Sequence, residues 1–270
     1  MKNKLKAAAA AVTAFALLGG ALPVNFAGVQ LLRPAVTAKA YETVSFDEES
    51  EILTLHGNVD KQEVQNAILD LTMNTHLFGI KVNCEEGTVL PVDSSYLFAV
   101  MAGDPKVIGI TDEGPIESDD PDDIDWYSIV KEFDLRNADT SHVTDMKDMF
   151  RGNMWCESIL MDFDTSHVTN MNGMFKYCKY SLLELDLSGF DMSSVTDASE
   201  MFYMCEELKT IYAGRGWNVN PEATDCTKMF YDCPKLISGL GTEWSKFYIN
   251  GECTCIDTTE PRLSDLQSKR

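Results

Sequence analysis

With 270 residues and 44% hydrophobic side chains, the chain has ample material for a packed core, which excludes disorder as its general state. Its 43 acidic against 22 basic residues leave a formal charge of −21, and a surface of that sign repels phosphate backbones and anionic membranes, so nucleic acid is excluded as a partner class. Cationic ligands, divalent ions and plain solubility remain compatible with it.

Lys2, Lys4 and Lys6 precede an apolar run from Ala7 to Leu18, and the small residues Ala38 and Ala40 frame a cleavage site before Tyr41. This is the layout of a secretory signal over residues 1–40, with an apolar run too short to span a bilayer. Its removal takes away Lys2, Lys4, Lys6, Arg33 and Lys39 and no acid, which moves the formal charge from −21 to −26. No cysteine precedes Cys84, so the acylated cysteine of a lipoprotein is missing, and no second long apolar segment follows. The expectation is a protein that is secreted, extracellular or held at the cell surface, without a transmembrane segment.

Residues 41–110 read as an N-terminal cap with a degenerate first repeat. Ile52 to Leu55 forms a strand ending at the turn His56-Gly57-Asn58. Lys61 to Leu71 is an amphipathic helix with Val64, Ala67, Ile68 and Leu71 on one face, and Ile80-Lys81-Val82 alternates as a strand. Leu97-Phe98 lies 52 residues before Phe150, about two repeat periods, and reads as a worn anchor of the pattern below. Residues 111–128 form an acidic insertion, in which the run from Asp112 to Asp125 holds eight carboxylates and two prolines. Like charges and prolines favour a solvated loop. Acids at alternate positions can ring calcium, but the glycine turn and terminal glutamate of an EF-hand loop are absent, so no metal is expected.

From 129 to 237 one phrase is written four times: DTSHVTDMKDMF (139–150), DTSHVTNMNGMF (164–175), DMSSVTDASEMF (191–202) and VNPEATDCTKMF (219–230). The pairs Met149-Phe150, Met174-Phe175, Met201-Phe202 and Met229-Phe230 are spaced by 25, 27 and 28 residues, the period of a solenoid whose units bury their apolar faces against each other. Phe133-Asp134-Leu135, Leu185-Asp186-Leu187 and Ile211-Tyr212-Ala213 alternate as strands with one buried face. A loop with Asp139, Asp164 or Asp191 follows, and then Asp145, Asn170, Asp197 and Asp225 stand at a helix N-cap position. Behind each cap the apolar residues fall at i, i+3 and i+4, as in Met146, Met149 and Phe150, which predicts one short helix per repeat. The expected fold is an α/β solenoid of repeats of about 25–28 residues, with a parallel sheet on one wall and helices on the other. Residues 238–270 form its C-terminal cap and tail.

The phrases Asp-Thr-Ser-His-Val-Thr-Asp-Met followed by Met-Phe, the run Leu185 to Phe190, and Leu208-Lys209-Thr210-Ile211-Tyr212 resemble the BspA-like leucine-rich-repeat surface proteins, including the uncharacterised repeat of Mycoplasma lipoproteins. The resemblance covers roughly residues 129–260. It implies a leucine-rich-repeat-like solenoid that displays a binding surface outside a bacterial cell.

Candidate chemistry is sparse. Cys178, Cys205 and Cys233 each lie three residues after an anchor phenylalanine and should stack. Bridging between neighbouring rungs is geometrically open, but a slot specified once per repeat is better explained by buried packing. Cys253 and Cys255 share one strand face with no second pair nearby, weak evidence for zinc. His142 and His167 occupy equivalent turn positions, where the third and fourth repeats carry Ser194 and Glu222, too few ligands for a metal. No serine sits in a nucleophile elbow and no glycine-rich phosphate loop occurs, so no catalytic residue and no cofactor are expected. The predicted function is non-enzymatic: a solenoid whose outward strand positions Asp134, Ile159, Asp186 and Tyr212 line a surface for an extracellular protein or glycan. The alternative is an exported hydrolase with a carboxylate-lined site near the acidic insertion, around Asp119 to Trp126.

Overall fold

The computed structural model describes residues 41–72, 79–99, 129–214, 216–217, 219 and 222–236, together with the backbone of residues 21–26, 29–34, 107–111 and 114–117. Two compact units are present, residues 1–40 with 110–114, and residues 41–109 with 115–270. In the first, β1 (Ala21–Phe26) and β2 (Val29–Pro34) pair as an antiparallel hairpin.

The second unit holds the solenoid. It begins with β3 (Val44–Asp47) turning back on β4 (Ile52–Leu55) in an antiparallel pair. Helix α1 (Lys61–Thr72) follows and buries Val64, Ala67, Ile68 and Leu71, the face expected from its periodicity. Asp60 caps it, accepting the Glu63 amide at 3.0 Å. The Glu63 carboxylate reaches back to the amides of Glu42 and Thr43 (3.0 and 2.8 Å), which ties the start of the sheet to the helix. Next come β5 (Ile80–Cys84) and, after the short strands β6 (Val107–Thr111) and β7 (Gly114–Glu117), which pair with each other and are divided between the two units, β8 (Val130–Asp134), β9 (Ser158–Leu160), β10 (Glu184–Leu187) and β11 (Thr210–Ala213). β7 is a strand inside the stretch read from the sequence as loop.

The sheet runs β3-β4-β5-β8-β9, parallel from β4 onward, and β10 pairs in parallel with β11 as a separate two-stranded sheet. Leu53, Val82, Phe133 and Ile159 fall in one register row and point inward, as Leu185 does opposite Ile211. Across the core the anchors stack face to face. Phe98–Phe150, Phe150–Phe175, Phe175–Phe202 and Phe202–Phe230 have ring centroids 5.4, 5.5, 5.6 and 5.3 Å apart. Phe98 is therefore the rung next to Phe150, not two rungs away: the 52 residues between them are one coil plus an excursion.

The second wall corrects the expected fold class. No helix stands behind Asp145, Asn170, Asp197 or Asp225; each of these side chains accepts the amide two residues ahead (2.8, 3.0, 2.9 and 2.8 Å) and closes an Asx turn instead of capping a helix. Beyond them, alternate amides leave their own coil. Met146, Asp148, Phe150 and Gly152 donate to the carbonyls of Asn170, Asn172, Met174 and Lys176 at 2.8–2.9 Å, while Met149 and Arg151 donate back three residues. This alternation needs left-handed backbone at the third residue of the turn, and Tyr96, Asp148, Gly173, Glu200 and Lys228 all have φ of 52–61°. The unit is a coil of strand, loop and stacked turns, so the chain is a parallel β-solenoid with little helix, not the α/β leucine-rich-repeat form.

The gap between β9 and β10 coincides with a difference in the arms that follow the strands. After β8 and β10 two consecutive exposed residues, Arg136-Asn137 and Ser188-Gly189, make a corner before the loop. After β9 the arm from Ile159 to Asp164 is one residue shorter than those from Phe133 to Asp139 and Leu185 to Asp191, and the corner is missing. The turn wall carries the stack across the gap through the Asn170–Asp197 bridge.

Candidate binding surface

The outward side of the sheet is built by the strand residues that alternate with the core row. Thr54, Asn83, Asp134 and Leu160 are in register, as are Asp186 and Tyr212. Of the four positions expected to face outward, Asp134, Asp186 and Tyr212 do so. Ile159 does not: it is 4% exposed and opposes Phe133, and the outward position of that coil belongs to Leu160. The alternation of Ser158-Ile159-Leu160 follows the apolar core, and with a side-chain period of two an error of one residue reverses the face.

These side chains differ in freedom. Asp134 accepts from Arg136 Nε at 2.8 Å and Nη2 at 2.6 Å, and that guanidinium holds its carboxyl below the usual range. Asp186 is exposed and accepts the Ser188 amide at 3.0 Å, while Tyr212 beside it is half-buried. One row over, Lys81 pairs with Glu132 at 2.7 Å. Two exposed aromatic residues, Trp155 and Tyr180, lie at the approach to β9 and β10 with ring centroids 4.8 Å apart. They fall outside the repeated phrase, and their signal in the sequence is only that large aromatic residues stand where the third and fourth repeats have Glu207 and Lys235.

The loop edge carries a column of acids whose role is structural. Asp164 and Asp191 are held below the usual carboxylate range by the hydroxyls and then the amides of Ser166 and Ser193, and Asp139 by the amide and then the hydroxyl of Ser141. Thr140 and Thr165 donate to the carbonyls of Asp164 and Asp191 in the next coil (3.1 and 3.0 Å). His142 Nε2 donates to the Leu90 carbonyl at 2.8 Å, and His167 Nδ1 contacts the Ser166 hydroxyl at 3.0 Å, so each histidine serves its turn.

Cys178, Cys205 and Cys233 are free, buried thiols that stack as expected and donate to the carbonyls of Phe150, Phe175 and Phe202 (3.5, 3.1 and 2.9 Å). In the first repeat Asn153 takes this slot and donates to the Phe98 carbonyl at 2.9 Å, so the position demands a small buried donor. Burial pushes the Cys233 thiol up to about 12 and those of Cys178 and Cys205 well above their ordinary value, the reverse of what a nucleophile needs. Cys226 is disulfide-bonded. Asp148 is buried in the turn wall beside Arg151, and its burial raises its carboxyl above the usual range.

Among the described residues no group of three or more His, Cys, Asp or Glu is placed to hold a metal ion, and no helix is long and apolar enough to cross a membrane. The calcium reading of the acidic insertion, the hydrolase site around Asp119 to Trp126 and the Cys253–Cys255 pair lie outside the described residues. A family model described as "Mycoplasma protein of unknown function, DUF285" matches residues 125–244, less than half of the chain but all of the repeats from β8 to β11. That likeness is to a repeat-type family. No curated protein matches the chain, and no solved structure does.

Proposed function

We propose that the protein is a non-enzymatic binding module, exported and then secreted or held at the surface of a bacterial cell, that meets an extracellular protein or glycan through the outward face of its sheet. The resemblance to BspA-like surface repeats and the likeness of residues 125–244 to the Mycoplasma family support a surface role by analogy. The observation that carries the reading is the pairing of Asp186 with Tyr212. They stand opposite each other on a backbone braced by parallel ladder bonds, and the Ser188 amide holds the Asp186 carboxylate in place. A fixed array of side chains on regular elements suits recognition.

The test is a pull-down from the extracellular milieu with the mature protein and an Asp186→Arg/Tyr212→Ala variant side by side. A partner retained by the parent and lost by a variant of unchanged melting temperature is expected; equal retention refutes this face. Export is checked by N-terminal sequencing of protein from the culture medium, which should begin near Tyr41. Recovery of the chain in the cytoplasm with Met1 intact refutes it.

A further inference from the structure

Six large apolar side chains are substantially exposed among the described residues, and four of them lie on the two coils that flank the gap in the sheet. Trp155 is 50% exposed and Leu160 39% on the coil of β9; Tyr180 is 44% exposed and Leu183 42% on the coil of β10. Each has a polar or less exposed counterpart in another coil at the same place: Leu160 stands in register with Asp134, and Leu183 is followed one coil later by Lys209, whose amide donates to its carbonyl. Core demands do not explain them, since the inward rows are filled by Cys156, Ile159, Leu182 and Leu185. Trp155 and Tyr180 are in ring contact, and an exposed Trp–Tyr pair accompanied by Leu160 and Leu183 on the same two coils has the composition of a protein-binding hot spot.

The charge around the patch narrows the occupant. Exposed Glu157, Asp162, Glu184 and Asp186 lie on the same two coils and outnumber the exposed Lys131, Arg136 and Lys209 of the coils on either side. With the chain at −21 overall, a second copy or an anionic polymer would meet like charge.

We propose that this patch, centred on Trp155 and Tyr180, docks a basic polypeptide whose apolar side chains cover the exposed rings and leucines while its lysines and arginines meet the carboxylate rim. The inference rests on the binding-module reading above and names its partner class. The aromatic pair supplies the affinity, and the rim supplies orientation and faster encounter, which weakens as salt screens it.

The experiment pans a displayed library of short random peptides against the mature protein, with counter-selection on Trp155→Ala, an exposed position where truncation leaves the core intact. Enriched peptides should combine lysine or arginine with apolar residues. They should bind Trp155→Ala at least tenfold more weakly, the ordinary loss for a hot-spot aromatic. A Glu157→Lys/Asp162→Lys variant, which spares the rings, should weaken them and flatten their salt dependence. No enrichment over Trp155→Ala, or enrichment of acidic sequences, overturns the proposal. Dextran fragments run in parallel give the other arm: Trp155-dependent glycan binding without peptide enrichment sinks the basic polypeptide and leaves the binding module standing. Partner loss from Asp186→Arg/Tyr212→Ala with none from Trp155→Ala also sinks this patch alone. Failure of every variant to change any interaction sinks both.

Discussion

Replacing Phe175 tests whether the anchor stack holds the coils together. Its ring is fully buried and lies between Phe150 and Phe202, 5.5 and 5.6 Å away at interplanar angles of 2° and 4°. Phe175→Leu keeps most of the apolar volume but removes both ring pairs, each worth about 0.5–1.5 kcal/mol beyond area burial, so the expected loss is about 1–3 kcal/mol. Phe175→Ala adds a cavity with packed coils on both sides, for a total of about 3–5 kcal/mol. Urea unfolding followed by circular dichroism, at unchanged slope, reads both values against the parent. Phe230→Ala, whose ring is partly exposed and stacks on Phe202, should cost less than Phe175→Ala. If Phe175→Leu costs under about 0.5 kcal/mol, below the smallest estimate for its two ring pairs, the reasoning from stacked rungs is wrong.

The remaining predictions are these. Gly173→Ala puts a Cβ 2.3 Å from the Asp148 carboxylate at φ +61° and should lower stability by about 1–2 kcal/mol in a thermal or urea melt, with a smaller loss when Asp148 is already shortened to alanine, since the backbone strain alone then remains. In native protein at neutral pH Cys178, Cys205 and Cys233 should resist a thiol reagent and react fully once the chain is unfolded, because burial both hides them and keeps them protonated. Asp134→Asn should cost up to about 1 kcal/mol at pH 7, the worth of a surface ion pair. Because the folded carboxyl is depressed by Arg136, that contribution is present above the unfolded value near 4 and fades as pH falls below it, so the parent and the variant should converge in acid.

Much of this fold is readable without coordinates. The recurrence of Met-Phe fixes the period, the alternation Phe133-Asp134-Leu135 fixes a strand and its inward face, and Lys61 to Leu71 declares its helix and buried side. The turn wall hides because i, i+3 and i+4 spacing serves a helix and a run of stacked turns equally well. The distinction lies in which way alternate amides point, and left-handed backbone there is carried mostly by residues other than glycine, among them Tyr96, Asp148, Tyr177, Glu200, Met204 and Lys228. Ile159 is misassigned because its neighbours Ser158 and Leu160 give a weak alternation, so only the ladder to Phe133 decides the face. The spacing of Leu97-Phe98 to Phe150 misleads because an excursion adds length without adding a rung. On the candidate surface, Asp134, Asp186 and Tyr212 follow from the pleat. Trp155 and Tyr180 do not, since they fall outside the repeated phrase and only the stacking of the coils brings their rings together.

The coils are joined by rows of amide–carbonyl bonds that run from each turn to the next along both walls, and such rows are loaded one after another when the ends of the stack are pulled apart. Tension would therefore peel the molecule coil by coil, with each release freeing about 26 residues, or on the order of 90 Å of chain. The junction where β9 and β10 share no ladder lacks a row of bonds that its neighbours have, so under tension this solenoid should lengthen there first.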